Sequence, residues 1–131
     1  RKRRWAKPTL NKKSLCEKLH SKCWKIFSEF VRRKSGGVCY CCGAKKNWQE
    51  LDGSHYLHGR LDYNEVNIQA TCRNCNRFMH GNLGTFAERL LHDYGADRIM
   101  ELRREAAKIK KWEPAELEEK ISHYKEELKK L

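Results

Sequence analysis

Residues 38–43 read Val-Cys-Tyr-Cys-Cys-Gly, and residues 71–76 read Thr-Cys-Arg-Asn-Cys-Asn. The two C-x-x-C pairs in these stretches consist of Cys39, Cys42, Cys72 and Cys75. Each pair can form a tight turn that presents two sulfurs to one metal ion, and four thiolates suit tetrahedral zinc. The 29 residues between the pairs exceed the ~15–20 of an ordinary two-knuckle site. The sequence therefore predicts structural Zn²⁺ as a clamp, with a β-hairpin between its ligand pairs.

The cysteines and the hydropathy limit the class of protein. The chain has seven cysteines, an odd number, and four of them form the C-x-x-C pairs. This pattern fits reduced thiols that hold a metal in the cytoplasm better than it fits disulfides. No apolar run approaches 18 residues, and the first residues are Arg-Lys-Arg-Arg-Trp rather than an apolar signal segment. We therefore expect neither a membrane span nor secretion.

The net charge of +12 is concentrated near the N-terminus. Residues 1–34 contain 13 Lys/Arg and 2 Asp/Glu, whereas residues 35–131 contain 16 and 15. Such a segment attracts phosphates by releasing counterions, so DNA is the expected partner; the alternative is a solvated basic tail that aids solubility. The candidate DNA-binding residues of this segment are Arg3, Arg4, Lys22, Lys25, Arg32 and Arg33.

One long helix is predicted from about residue 11 to residue 34, because apolar side chains recur there at three- and four-residue steps. Cys16 and Cys23 lie within or beside this stripe and are interpreted as small core residues. Short strands are predicted at residues 48–51 and 54–57, and a strand or extended segment at 66–70. A short helix is predicted to follow the second C-x-x-C pair and to end at Met79, and another helix is predicted at 83–94. The next helix is predicted to begin after a capping Asp97 and to end at about Trp112, with Ile109 facing inward. The last helix is predicted from Pro114 to Leu131.

The last predicted helix carries a coiled-coil-like seam, which is formed by Leu117, Ile121, Tyr124, Leu128 and Leu131. We expect it to pack on its own domain, with a dimer contact as the alternative. The predicted organisation is a basic arm and helix at 1–37, a zinc-clamped core at 38–94 and C-terminal helices at 95–131, all in one compact unit.

The order of motifs resembles the phage NinG/Rap recombination proteins, within the zinc-clamped branch of the ββα-metal (HNH) nucleases. The resemblance covers about residues 24–105, and its elements are Cys39-x-x-Cys42-Gly43, Trp48, Ser54-His55-Tyr56, Arg60, Asn67, Cys72-x-x-Cys75-Asn76, Gly81-Asn82 and Tyr94-Gly95. It implies an α+β fold, with a zinc-clamped ββα-metal (HNH-like) core flanked by N- and C-terminal helices. It also implies DNA endonuclease activity on branched intermediates such as Holliday junctions and D-loops.

Two residues are expected to perform or support the chemistry. Phosphodiester hydrolysis needs a group that takes a proton from water, and a histidine can do this near neutral pH. We assign His55 as this general base; the alternative is a structural histidine. Asn67 resembles the middle asparagine of HNH motifs and is expected to hold the hairpin loop through backbone hydrogen bonds, so that His55 points correctly.

A catalytic Mg²⁺ or Mn²⁺ is expected beside His55. Asn76 is assigned to it, with a helix cap as the alternative. Many HNH sequences place an aspartate immediately before the base, but Ser54 stands there, so Asp52 is the candidate carboxylate and a simple Asp-Gly turn is its rival. If Asp52 does not bind, His55 itself becomes a candidate ligand. His80, expected on the same helix face as Asn76, is a further candidate ligand, and the alternative is a surface or phosphate-contacting role.

The expected function is a metal-dependent, structure-selective DNA endonuclease, in which Arg60 and Arg77 contact phosphates. Symmetric cutting of a junction needs two active sites, so a homodimer is expected. The expected location is the cytoplasm, that of the host cell if the protein is phage-encoded. The alternative function is a zinc-clamped nucleic-acid-binding module without catalysis.

Overall fold

The computed structural model describes residues 11–59 and 61–131, which form an α+β fold. Its regular elements are α1 (Lys12–Lys34), a 3₁₀ turn (Trp48–Glu50), β1 (Leu51–His55), β2 (Ile68–Cys72), a π-helical turn (Asn74–Phe78), α2 (Leu83–Tyr94), α3 (Ala96–Ala106) and α4 (Pro114–Lys129). In this part of the chain, no helix is both long and apolar enough to cross a bilayer.

The two longest helices, α1 and α4, pack against each other and form the main core. Asn11 caps α1, since its side-chain oxygen accepts a hydrogen bond from the Ser14 amide at 2.8 Å. The Phe27 ring is fully buried and meets the Tyr124 ring edge-on, with centroids 4.8 Å apart. The seam of α4 therefore packs on its own chain, as predicted, through Leu117, Ile121 and Tyr124.

The hairpin consists of β1 and β2, which pair antiparallel from Leu51 opposite Cys72 to His55 opposite Ile68. The predicted strands at 48–51 and 54–57 are wrong, because residues 48–50 form a 3₁₀ turn and one strand runs through residues 51–55. An Asp-Gly turn at 52–53 is excluded for the same reason. The Ser54 hydroxyl is buried and hydrogen-bonds the Thr71 hydroxyl across the sheet, which keeps this segment extended.

Two helical segments after β2 depart from the sequence-based expectation. First, the short helix that follows Cys72 is π-helical and ends at Phe78. Second, α3 ends at Ala106 rather than near Trp112, and Ile109 is 93% exposed instead of inward-facing. After the helix the chain continues to Trp112, whose ring packs edge-on against Tyr63 of the main core, 5.3 Å between centroids.

A second, smaller core lies on the other side of the hairpin and contains Phe86, Leu90 and Ile99. Tyr40 from the first cysteine turn and Tyr56 from the end of β1 both pack on Phe86, at 5.5 and 5.4 Å between ring centroids. Gly95, with φ 83°, both ends α2 and begins α3, so Asp97 lies in the first turn of α3 rather than at its cap. The hairpin strands thus pack on the main core, and residues that flank them, Tyr56 and Val66, pack on the second core.

Candidate zinc centre and candidate active site

The four cysteines of the C-x-x-C pairs converge on one point. Their sulfurs all lie within 4.8 Å of one another, and the Cys42 and Cys72 sulfurs are 3.7 Å apart. A tetrahedron with Zn–S bonds of about 2.3 Å has edges of about 3.8 Å. The donor type, number and spacing therefore fit a structural metal ion such as zinc.

Local backbone structure builds this cluster from two turns. Gly43, with φ 75°, allows its amide to bond the Cys39 carbonyl at 3.0 Å, which closes the first turn. The Tyr40 amide bonds the Ala70 carbonyl of β2 at 2.8 Å. The second pair begins at the last residue of β2, so the hairpin fixes the distance between the two turns.

Cys41 is not part of the cluster, as the C-x-x-C spacing predicted. Its thiol points to the Gly81 carbonyl at 3.9 Å, and burial raises its pKa to about 12. Burial also acts on Cys39, but hydrogen bonds from the backbone of Cys42 and Cys72 stabilise the thiolate and bring the pKa to about 7. The thiols of Cys39 and Cys41 therefore differ in acidity although the two residues are only two positions apart.

His55 ends β1 and lies in a stack of three rings. The Trp24 indole of α1 stacks on the imidazole at 5.1 Å and 19°, and the His58 ring at 5.6 Å and 15°. The His55 Nε2 atom lies 3.2 Å from the Asp62 Oδ1 atom. Burial lowers the pKa of His55 below its usual value, whereas Asp62 acts to raise it. The neutral imidazole, the form that can accept a proton, is thus favoured.

Asn67 is fully buried and ties the loop that follows β1. Its side-chain oxygen accepts from the Leu57 amide at 2.7 Å, and its nitrogen donates to the Leu57 carbonyl at 2.8 Å. A third bond reaches the Leu61 carbonyl at 3.4 Å. These are the backbone hydrogen bonds that the sequence predicted for this asparagine.

Asp52 and Asn76, both predicted as ligands of a catalytic ion, are hydrogen-bonded to each other and share a further partner. The Asn76 amide nitrogen donates to the Asp52 carboxylate at 3.1 Å. Arg77 donates to both oxygens of the same carboxylate, through Nε and Nη2, each at 3.1 Å. Arg77, predicted as a phosphate contact, is therefore an ion-pair partner of Asp52 in this structure. Asp52, Asn76 and Arg77 all line a cleft of about 290 Å³ between α1 and β1.

The sequence profile of one protein family, described as "Bacteriophage Lambda NinG protein", matches residues 1–131 of this chain. The chain belongs to the phage NinG family. Searches of curated proteins and of solved structures gave no match. The cysteine cluster and the His55 loop described above are thus features of a NinG-family chain.

The remaining predicted site residues are dispersed. His80 lies beyond the π-helical turn with φ 50°, so the prediction that it shares a helix face with Asn76 is wrong. Lys22 and Lys25 are exposed on α1, and the Arg32 and Arg33 guanidiniums lie 5.2 and 5.9 Å from the Trp48 ring centroid. The predicted DNA contacts Arg3, Arg4 and Arg60 lie outside the described residues.

Sequence reasoning missed two residues beside His55. Asp62 is seven residues further on, across a loop, and no spacing rule joins an aspartate to a histidine at that distance. Trp24 lies next to the apolar stripe of α1, so its position in the sequence is that of a core residue and gives no sign of a place beside His55. Both contacts depend on how the loop and α1 fold over the end of β1, which is tertiary information.

Proposed function

We propose that this NinG-family protein is a metal-dependent DNA endonuclease of the HNH type that hydrolyses phosphodiester bonds in branched recombination intermediates. One observation carries the proposal: at the end of β1, opposite Ile68 rather than Cys72, a histidine whose neutral form is favoured is stacked and hydrogen-bonded in a fixed orientation. A histidine of this kind matches the requirements of a general base. The family resemblance supplies the substrate class.

In the proposed mechanism His55 removes a proton from a water molecule as the water attacks phosphorus. The imidazole is held by stacking and by Asp62, so little reorganisation accompanies the proton transfer. Asn67 keeps the neighbouring loop in place through its backbone hydrogen bonds. The cysteine cluster has no part in this step; zinc bound there holds the hairpin and the π-helical turn together.

Asp52 and Asn76 are the proposed ligands of a catalytic Mg²⁺ or Mn²⁺. Carboxylate and amide oxygens are the hard donors that such ions prefer. The Asn76 amide now donates its nitrogen to Asp52, so ion binding requires the amide to turn its oxygen towards the ion. When bound, the ion would neutralise charge on the phosphate and on the departing oxygen. Arg77 competes for the same carboxylate, so binding requires its guanidinium to release at least one oxygen.

The basic side chains of α1 support DNA as the partner. Arg32 and Arg33 lie near Trp48, and Arg32 also lines the cleft that contains Asp52. Guanidinium groups at the end of a helix can position a phosphate backbone without reading sequence. We place this activity in the cytoplasm of the host cell, in a homodimer that brings two such sites to one junction.

The test is cleavage of a four-way junction, a flapped duplex and a linear duplex of matched sequence, with Mg²⁺, with Mn²⁺ and with neither. The variants are His55→Ala and, as control, His92→Ala, whose imidazole is exposed on α2. We expect His55→Ala to reduce junction cleavage by about 10²–10⁴-fold without weakening junction binding, and His92→Ala to cleave normally. If the unaltered protein binds junctions but cuts none with either ion, it is a binding module and not a nuclease.

A further inference from the structure

The contact between His55 and Asp62 determines which imidazole nitrogen can act as a base. The pair is joined through Nε2 and Oδ1 at 3.2 Å. An ionised carboxylate can only accept hydrogen bonds, so Nε2 must carry the proton. Nδ1 then holds the lone pair, and no residue within 11–59 or 61–131 hydrogen-bonds it.

We propose that Asp62 is a positioning residue that holds His55 as its Nε2–H tautomer and so makes Nδ1 the proton-accepting atom. The proposal deepens the function proposed above and rests on it for the reaction, but the tautomer itself is a property of the protein without DNA. Trp24 is the second positioning residue, because it fixes the plane of the ring.

The stack around His55 restricts rotation of the imidazole. The Trp24 and His58 rings are nearly parallel to it, at 19° and 15°. Rotation about the bond to the ring would move the ring edge into one of these neighbours. Trp24 itself lies over Gly53, where a Cβ would be 3.5 Å from its ring, and beside the buried Phe27 ring at 6.2 Å between centroids. The ring plane and the Asp62 contact together fix where Nδ1 points.

Asp62 is held by its neighbours along the chain, which distinguishes it from a mobile surface carboxylate. Leu61 and Tyr63 on either side are 8% and 6% exposed. The Leu61 carbonyl accepts from Asn67, and the Tyr63 hydroxyl lies 2.8 Å from the His20 Nδ1 atom. The Asp62 side chain itself is 37% exposed, so it contacts His55 through Oδ1 while part of it faces solvent.

Among the residues that the structure describes, the charged and titratable groups that face His55 are Asp62 and His58, both from the loop. α1 presents the neutral indole of Trp24, and β2 presents Ile68 opposite. Removing the Asp62 charge therefore removes the interaction that opposes burial, and the pKa of His55 falls further. The acid limb of a cleavage profile would then move to lower pH, even as the rate falls because the tautomer is wrong.

The test compares the full zinc-bound chain with Asp62→Asn and with Asp97→Asn, a control that removes an exposed carboxylate from α3. Nitrogen-15 NMR of the histidine side chains reports the tautomer and the pKa of His55. We expect Nε2–H in the unaltered protein and in Asp97→Asn. In Asp62→Asn the amide can donate to Nε2, so Nδ1–H should become the main form.

Cleavage by Asp62→Asn should fall at least about tenfold in kcat with little change in KM, because binding surfaces are untouched. An Nδ1–H tautomer in the unaltered protein overturns the proposal, and this measurement does not depend on whether the variant folds. An unchanged tautomer in folded Asp62→Asn also overturns it. The expected NMR result in a protein that cuts no DNA refutes the nuclease function and leaves the positioning role of Asp62 intact.

Discussion

Gly53 of β1 lies directly against Ser28 of α1: a Cβ at residue 53 would be 3.0 Å from the Ser28 hydroxyl oxygen. That Cβ would also be 3.5 Å from the Trp24 ring. The absence of a side chain on Gly53 therefore lets α1 approach the strand closely enough for Trp24 to stack on His55. The Ser28 hydroxyl is also fixed, because it accepts a hydrogen bond from Arg32 at 3.1 Å.

Gly53→Ala should destabilise the protein by about 1–3 kcal/mol, because the added methyl group overpacks the α1–β1 contact. Urea denaturation measures the change. Gly84→Ala on α2 is the control, since a Cβ there meets nothing within 4 Å. In a Ser28→Ala background the cost of Gly53→Ala should be smaller, since the closest atom has been removed. Equal costs in the two backgrounds would show that the contact does not limit the approach.

Removing the metal should unfold the hairpin and both cores that enclose it. The protein is expected to bind one Zn²⁺ per chain, and Cys72→Ser should lose the ion and the fold because a tetrahedral thiolate site needs all four ligands. Zinc content, the absorption spectrum of the Co²⁺ form and far-UV circular dichroism measure these effects. Cys41→Ser is the matched control and should retain zinc, since its thiol lies outside the cluster. Zinc retained by Cys72→Ser and lost by Cys41→Ser would reverse the ligand assignment.

The sequence predicted those features that depend on local patterns. The apolar stripe of α1, the Pro114 start of α4 and the C-x-x-C cluster follow from spacings that are visible within a few turns of chain. The strand boundaries of the hairpin were predicted wrongly, because an Asp-Gly pair is typical of turns. In the structure Gly53 lies within β1, where its lack of a side chain leaves space for α1. The His55–Asp62 pair and the outward position of Ile109 depend on packing between distant segments.

Asp52 and Arg77 should have opposite effects on the requirement for a divalent ion. Asp52→Asn removes a proposed ligand, so the Mg²⁺ concentration for half-maximal junction cleavage should rise by about tenfold or more, as expected for loss of a charged ligand. Arg77→Ala removes the competing guanidinium, so that concentration should not rise. The stability cost of Arg77→Ala should stay within about 1 kcal/mol, because the Arg77 side chain is 59% exposed.

Cleavage titrated against Mg²⁺, with urea denaturation of each variant, separates these effects. Arg73→Ala, a change at an exposed arginine next to the π-helical turn, controls for loss of positive charge. If Asp52→Asn cuts at the same Mg²⁺ concentration as the unaltered protein, Asp52 is only the ion-pair partner of Arg77, and the ligand set proposed here is wrong.

Deleting residues 114–131 should unfold the protein rather than convert a dimer into a folded monomer. α4 buries Leu117, Ile121 and Tyr124 against α1, so its loss exposes the Phe27 and Phe30 rings to water. Tyr124→Ala should cost about 3 kcal/mol or more for the same reason. Circular dichroism and light-scattering mass measure fold and oligomeric state together. Lys125→Ala, at an exposed position on the same helix, should change stability by less than about 0.5 kcal/mol. A truncated chain that stays folded with half the mass would instead identify α4 as the dimer contact.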